Sequence, residues 1–470
     1  MKTIRKILEL EIESIAFEGQ AIARKDGLVY FVKGAIAGDK VIAEIIKKKR
    51  RYVESRVVEV IEASPERIKP ECKYFGICGG CSWQHLKYES QLEWKKRHVV
   101  DAFERIADIL EPPVEATIEC ENSFRYRNKM EFSFGASRWL TENEISEGIE
   151  IDNKDFALGL HVPQRFDKVL DIDSCLLQAQ QCDSILNIIR EKAQSFELTA
   201  LNSRNNEGFL RNLILRYSFT GNEIMSVLVT SSPETDADNM FVEWYEHDFI
   251  NMIPEVTNVI HAVNNTRNPV AVDFMKVVHG NGFIEEKVLN INFKISPFSF
   301  FQTNTMQLEK FFTKILDFAS IEENDIVWDL YCGTGAISLC ASMFAKKVFG
   351  FEFAESSVSD ARVNAELNKI LNTEFFAVDL HSKEINGLFE KIERPDILII
   401  DPPRAGMHKN LVDTVKKIAA KRIVYVSCNP ASQARDTALL TDNYNMHKIQ
   451  PVDMFPHTYH VESIALFEIK

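Results

Sequence analysis

Two apolar runs that each end abruptly on a reactive side chain, 27 residues apart, constrain this chain more than any other feature. The first, Asp396-Ile397-Leu398-Ile399-Ile400-Asp401-Pro402-Pro403-Arg404, stops at a carboxylate fixed by two prolines. The second, Ile423-Val424-Tyr425-Val426-Ser427-Cys428-Asn429-Pro430, stops at a thiol and turns. Short unbroken apolar runs bounded by turn residues read as buried strands. An α/β sheet builds its sites at the carboxyl ends of such strands. Asp401 and Cys428 are therefore candidates for one site, an acidic clamp beside a nucleophile. Without such neighbours, a free cysteine is more simply a small buried hydrophobe.

A second pattern supplies a cofactor site. Ile326-Val327-Trp328-Asp329-Leu330-Tyr331-Cys332-Gly333-Thr334-Gly335 reads as a strand running into a Gly-rich turn, with Ala336 to Cys340 opening a helix. Gly333 and Gly335 permit a tight turn and close backbone approach to a ligand. A dinucleotide fold asks for a third glycine where Ser338 stands. Val348-Phe349-Gly350-Phe351-Glu352 is a neighbouring strand whose terminal acid is placed to bind ribose hydroxyls, about 17 residues after Gly335. With Asp379 ending another such segment, the set suits S-adenosylmethionine better than NAD.

Nine cysteines are present. Their odd number, the length of the chain and the reducing surroundings a reactive thiol needs all argue against a disulfide framework. Cys72, Cys78 and Cys81 form a compact Gly-punctuated loop, and Cys175 lies far along the chain. Spacing leaves zinc and an iron-sulfur cluster both open; three clustered ligands with a distant fourth suit the cluster better than paired Cys-x-x-Cys zinc sites do. Cys120, Cys182, Cys332 and Cys340 read as ordinary thiols. Acids at Glu9, Glu11 and Glu13 interrupt the amino terminus, and no apolar run reaches membrane-spanning length, so a cytoplasmic protein is expected.

Length permits two or three domains. Residues 1–65 read as short alternating strands punctuated by Gly19, Gly27, Gly34 and Gly38, suiting a five-stranded barrel. Residues 1–70 carry 15 Lys and Arg against 11 Asp and Glu, +4 in a chain of net charge −14. Binding follows the field of a patch rather than net charge. Lys47, Lys48, Lys49, Arg50 and Arg51, beside Tyr52, are therefore candidate phosphate contacts. A second basic stripe is Arg125, Arg127 and Lys129, on one face if the segment is a strand; Arg211 with Arg216 is a third. Residues 66–290 suit an α+β region, with a helix near 88–110 whose apolar spacing suits packing on the catalytic part, residues 291–470.

Ser299-Phe300-Phe301-Gln302-Thr303-Asn304, the Asp329 to Gly335 turn, Asp401-Pro402-Pro403-Arg404, Ser427-Cys428-Asn429-Pro430 and His460-Val461-Glu462-Ser463 stand in the order seen in RNA uracil-5-methyltransferases. The amino-terminal part resembles the ribosomal branch of that family, with a TRAM-type OB-like barrel. The resemblance implies a Rossmann-like S-adenosylmethionine-dependent methyltransferase domain behind a TRAM barrel and a central α+β domain. It implies Cys428 as the nucleophile adding to carbon 6 of uracil and Glu462, 34 residues later, as the base removing the carbon 5 hydrogen. Read alone, Glu462 is a solvated edge acid.

The resemblance further implies Gln302, Tyr331, Gly333, Gly335, Glu352, Asp379 and Asp401 as cofactor contacts. It implies a [4Fe-4S] cluster on Cys72, Cys78, Cys81 and Cys175, and 23S ribosomal RNA as the partner, with neither DNA nor membrane, in a monomer. His457 and His460 read as packing or capping residues. The alternatives are a transfer RNA uracil-5-methyltransferase, whose relatives typically lack the barrel and the four cysteines, and a non-catalytic TRAM-bearing RNA-binding protein.

Overall fold

The structure is a computed structural model that describes residues 6–146, 153–268, 271–382 and 385–470. Its first sheet spans Ile7–Glu11 to Tyr52–Glu62. Alternation along Lys40–Lys48 turns Val41 and Ala43 inward to meet Leu10, Ala21, Ala23, Val32 and Val53 in a small apolar core. Six strands form it rather than the five expected, because the two residues Ser14–Ile15 pair with Ala21–Lys25. The Lys47 to Arg51 run lies at the exposed tip joining the two longest strands, where the Lys49 amide bonds the Tyr52 carbonyl.

The central sheet has seven strands, in spatial order Phe274–His279, Asn258–Val263, Ile224–Thr230, Leu210–Tyr217, Lys129–Gly135, Ala157–Val162 and Arg165–Asp171. Helices Gln181–Ser195 and Asp236–His247 cover one face through Ile185, Ile189, Phe241 and Trp244. On the other face Ile214, Met225, Val227 and Ile260 join a core that runs on into the carboxyl-terminal part through Phe301, Leu308 and Phe311. The hairpin Ile284–Val288 and Ile291–Ile295 belongs to that core, so a division at residue 290 falls in its turn.

Two basic candidates behave differently from their sequence reading. Only Lys129 of the second stripe lies in a strand; Arg125 sits at φ +56 and pairs with Asp183 at 2.9 Å, while also donating to the Cys175 and Gln178 carbonyls. Arg211 and Arg216 are buried: Arg216 is capped by the Pro297 and Ser299 carbonyls and Arg211 by Asn206. Both lie in strand Leu210–Tyr217 and tie it to a neighbouring loop rather than serving as surface cations.

The third large sheet has the order Thr373–Ala377, Lys347–Glu352, Ile326–Leu330, Ile397–Ile400, Arg422–Ser427, Glu462–Ile469 and Tyr444–Val452. Six strands run in one direction, and only Glu462–Ile469, inserted between Arg422–Ser427 and Tyr444–Val452, runs antiparallel to them. Strand order reverses at Ile326–Leu330, which opens a crevice beyond the carboxyl ends of Ile326–Leu330 and Ile397–Ile400. Helix Tyr88–Ile106 crosses from the amino-terminal part and buries Val99 and Phe103 in the core beside Tyr425 and Ala434. Among the described residues no helix is long and apolar enough to cross a membrane.

Candidate active site

Each reactive side chain is placed by a locally determined turn. Tyr331, Gly333 and Gly335 all have positive φ, bending the chain sharply after Leu330 so that helix Ala336–Ala341 starts at the strand end. A Cβ on Gly333 would meet nothing within 4 Å, whereas one on Gly335 would press at about 3.0–3.1 Å on Ala361 and Phe375. Gly333 thus faces the crevice, and Gly335 is a packing glycine that does not line it. Ser338, which stands where a dinucleotide fold places glycine, donates at 2.6 Å to Asp329, and both are fully buried. Burial pushes the Asp329 carboxyl up to about 7. Glu352 accepts from the Gly333 and Ala354 amides, tying the neighbouring strand end to the turn.

Cys428 closes strand Arg422–Ser427 because Asn429 caps the next helix, accepting from the Ala431 amide, with Pro430 in its first turn. Asp401 lies at the end of the adjacent parallel strand. Glu462 opens the strand hydrogen-bonded on the other side of Arg422–Ser427, with Ser463 opposite Ser427. Three neighbouring strands therefore deliver thiol and carboxylates to one place.

That place is a cavity of about 1060 Å³. Gln302, Tyr331, Gly333, Glu352, Asp379 and Asp401 line it together with Cys428 and Glu462. Asp379 also accepts from the His381 amide, which fixes its turn. Burial pushes Asp401 up to about 7; burial and then Asp401 push Glu462 well above the usual carboxylate range, against the pull of Arg404. Cys428 is pushed up to about 11, first by burial, then by Glu462, with Asp401 adding and Arg404 opposing. Two carboxylates this close disfavour double ionisation. His460, on the cavity wall, is pushed down to about 4 by burial and by Arg404, Lys95 and Arg127. His457 is buried behind the wall, stacked on Phe124 at 4.1 Å.

Several wall residues carried no role in the sequence reading. Arg404 belongs to the Asp-Pro-Pro-Arg run, and its guanidinium comes within 3.4 Å of His460 Nδ1. Phe300 and Phe353 line the cavity although 67% and 75% exposed; in sequence a phenylalanine reads as core. Arg127, from the basic stripe, reaches the cavity, as do Gly79, Gly80 and Ser82 of the cysteine loop. Lys47 to Arg51 do not line it, and neither do Arg125 or Lys129, which lies 3.7 Å from Glu131.

Cys72, Cys78, Cys81 and Cys175 line one small cavity, walled also by Gly80 and Arg127, so a single layer of residues separates it from the larger one. Burial pushes Cys78 up to about 11 and Cys81 up to about 12, with the other thiols of the set adding. The Gly80 amide donates to Cys78 Sγ and Gln84 Nε2 to Cys81 Sγ. Among the described residues no group of three or more His, Cys, Asp or Glu side chains is arranged to hold a metal ion. Cys120, Cys182, Cys332 and Cys340 are buried elsewhere.

Comparison with known proteins agrees with this architecture. Residues 272–470 match the family model described as tRNA (Uracil-5-)-methyltransferase, and residues 2–58 match the TRAM domain. An RNA methyltransferase of Bacteroides thetaiotaomicron is 40% identical over 457 residues, 97% of this chain and 100% of that protein. One from Chlorobaculum tepidum is 40% identical over 98% of this chain and 96% of its own. The chain belongs to the RNA uracil-5-methyltransferase family. Among solved structures, the Pyrococcus abyssi tRNA (uracil-54, C5)-methyltransferase in complex with S-adenosyl-L-homocysteine superposes with a TM-score of 0.74 at 25% identity, covering 98% of this chain and 100% of that one. The fold is that of an S-adenosylmethionine-dependent methyltransferase preceded by a TRAM domain, and the protein is an RNA methyltransferase.

Proposed function

We propose that this methyltransferase modifies carbon 5 of a uridine in 23S ribosomal RNA through a covalent adduct with Cys428. The observation carrying this is that Cys428, Glu462 and Asp401 open into the same cavity as Gly333 and Glu352. Gln302, Tyr331, Gly333, Glu352 and Asp379 would hold S-adenosylmethionine, which would supply the methyl group. Carbon 5 of uracil is too weak a nucleophile by itself, so the Cys428 thiolate adds to carbon 6, forming a C–S bond and moving the electron pair to an enolate. Carbon 5 would then take the methyl group as its bond to the sulfonium breaks, the electron pair staying on sulfur so that S-adenosylhomocysteine is the leaving group. Glu462, made basic by its buried setting, removes the carbon 5 proton, and the re-formed double bond expels the thiolate. Arg404 is the cation that favours the thiolate, and Asp401 holds the reacting groups together. The uridine must leave its helix to reach the cavity. Exposed Lys47 to Arg51 on the barrel, with Arg127 at the cavity wall, are the cations proposed to hold RNA phosphates.

The four cysteines fit a [4Fe-4S] cluster better than a single ion. They line one cavity and two receive hydrogen bonds at sulfur, and three clustered thiols with a distant fourth suit a cluster better than paired Cys-x-x-Cys zinc sites do. Cys72, Cys78, Cys81 and Cys175 would hold the cluster, which would tie the Cys72 to Cys81 loop to the segment carrying Cys175. Iron and acid-labile sulfide analysis of anaerobically purified protein tests this, with Cys81→Ser expected to lose both.

The ribosomal assignment rests on the resemblance of the four-cysteine set. A transfer RNA substrate is the second reading, favoured by the Pyrococcus abyssi enzyme, which superposes over 98% of this chain; a match of that extent removes the barrel as a ground for choosing between the two. The deciding experiment is methyl transfer from labelled S-adenosylmethionine to unmodified 23S and transfer RNA transcripts, with Cys428→Ala as control. Incorporation into 23S RNA that vanishes in Cys428→Ala is expected. Incorporation into transfer RNA alone overturns the substrate; incorporation that survives Cys428→Ala overturns the nucleophile.

A further inference from the structure

One wall of the cavity is the nine-residue connection between Val452 and Glu462, which contributes Phe455, Thr458, Tyr459 and His460. A connection of that length has no intrinsic shape, and this one contains a strained residue: His457 has φ +64, a left-handed conformation that a side chain other than glycine rarely adopts. Something outside the connection has to hold it.

The group that does so is Gln91, on helix Tyr88–Ile106, which is fully buried and uses both ends of its amide. Its Oε1 accepts from the His457 amide at 2.8 Å, and its Nε2 lies 3.3 Å from His457 Nδ1. The same Nε2 donates to the Trp83 and Leu86 carbonyls. From that segment the Ser82 and Trp83 amides both donate at 2.9 Å to the His457 carbonyl. His457 is thus held at its amide, its carbonyl and its ring by groups outside the connection, with Gln91 central to the set. Downstream the geometry is relayed by short bonds: Thr458 Oγ1 donates to the Phe455 carbonyl and accepts from the His460 amide.

We propose that Gln91 is a positioning residue for the methylation reaction: by fixing His457 in its left-handed conformation it sets the wall formed by Thr458, Tyr459 and His460 against which the target base is seated. Gln91 does not itself line the cavity. The inference rests on the covalent reading above, and its consequence is specific. Loss of the Gln91 amide misplaces the base relative to Cys428 without disturbing the cofactor end of the cavity, where Gly333 and Glu352 bond to each other. Small displacements of a reacting group cost one to two orders of magnitude in rate.

The test is single-turnover adduct formation with a 5-fluorouridine-substituted 23S transcript, read as amplitude (adduct per protein) and rate. Gln91→Met is expected to keep the wild-type amplitude while adduct forms on the order of tenfold more slowly or worse, with KM for S-adenosylmethionine unchanged. Should that variant not fold, Gln91→Asn, which keeps the amide but shortens its reach by one methylene, carries the same expectation. A reduced amplitude with an unchanged rate per active molecule marks a merely structural residue and overturns the proposal, as does an unchanged rate at full amplitude. Absence of adduct with the wild-type protein on 5-fluorouridine transcripts of both 23S and transfer RNA overturns the covalent reading itself, and the inference with it; adduct on transfer RNA alone moves the same test to that transcript, and absence of adduct in folded variants only, with the wild type reacting, supports the inference.

Discussion

Arg404→Met is expected to slow adduct formation by raising the Cys428 pKa, and the size of the effect follows from the surroundings of the thiol. Burial, Glu462 and Asp401 push Cys428 up to about 11, and Arg404 is the cation that pulls it down. With a pKa of about 11, roughly one thiol in a thousand is ionised at pH 8, so the rate should climb about tenfold for each pH increment of one. A unit charge about 4 Å away interacts by about 4 kcal/mol at an effective dielectric of 20. Arg404 is exposed, and solvent screening reduces this to about 1 kcal/mol. Losing the cation disfavours the thiolate, so the pKa rises by about 0.7 and the rate at pH 8 falls roughly fivefold. The assay is rapid-quench adduct formation with the 5-fluorouridine transcript from pH 6.5 to 9.5, for wild type and Arg404→Met. A variant profile displaced to higher pH supports the argument. A profile of unchanged shape with a uniformly lower rate refutes it and places Arg404 in RNA binding; a flat wild-type profile refutes the thiolate step.

Glu462→Gln should form adduct with ordinary uridine RNA and fail to resolve it, so that a methylated protein–RNA species accumulates on denaturing gels while turnover falls on the order of 10²–10⁴-fold. Lys95 and Asp453 form a fully buried ion pair at 2.5 Å behind the cavity wall, with the Tyr88 hydroxyl also donating to Asp453. Lys95→Met leaves Asp453 buried without its cation and should cost about 3–5 kcal/mol in urea unfolding, partly recovered by adding Asp453→Asn. Ser338→Ala removes the side-chain donor to Asp329, whose other oxygen already lacks a partner. It should cost about 1–3 kcal/mol and weaken S-adenosylhomocysteine binding by calorimetry, because the bond fixes the helix start beside Gly333.

How far the site was legible depended on the range of the physics involved. Cys428 and Asp401 were readable because an apolar run followed by Asn-Pro or Pro-Pro makes both strand and stop within a few residues. The Gly-rich turn was readable for the same reason, but the functions of its glycines were not: Gly333 faces open space and Gly335 faces Ala361 and Phe375, a difference made by a helix and a strand further along the chain. Arg125 and Arg127 are alike in sequence, yet one is held by Asp183 and the other reaches the cavity, since Arg125 turns to φ +56 instead of continuing a strand.

The amino-acid order by itself therefore determined the α/β sheet, the Gly-rich turn, the thiol at a strand end and the compact Cys72 to Cys81 loop, all consequences of local periodicity and turn chemistry. Tertiary structure alone decided what each polar group experiences. Glu462 reads as a solvated edge acid until strands on both sides bury it in the cavity with Asp401, which pushes its carboxyl well above the usual carboxylate range. Gln91 reads as one polar residue on a helix until the fold brings His457 against it from 366 positions away. Burial and electrostatic environment depend on which distant segments meet, and that is a property of the packed chain rather than of any stretch of it.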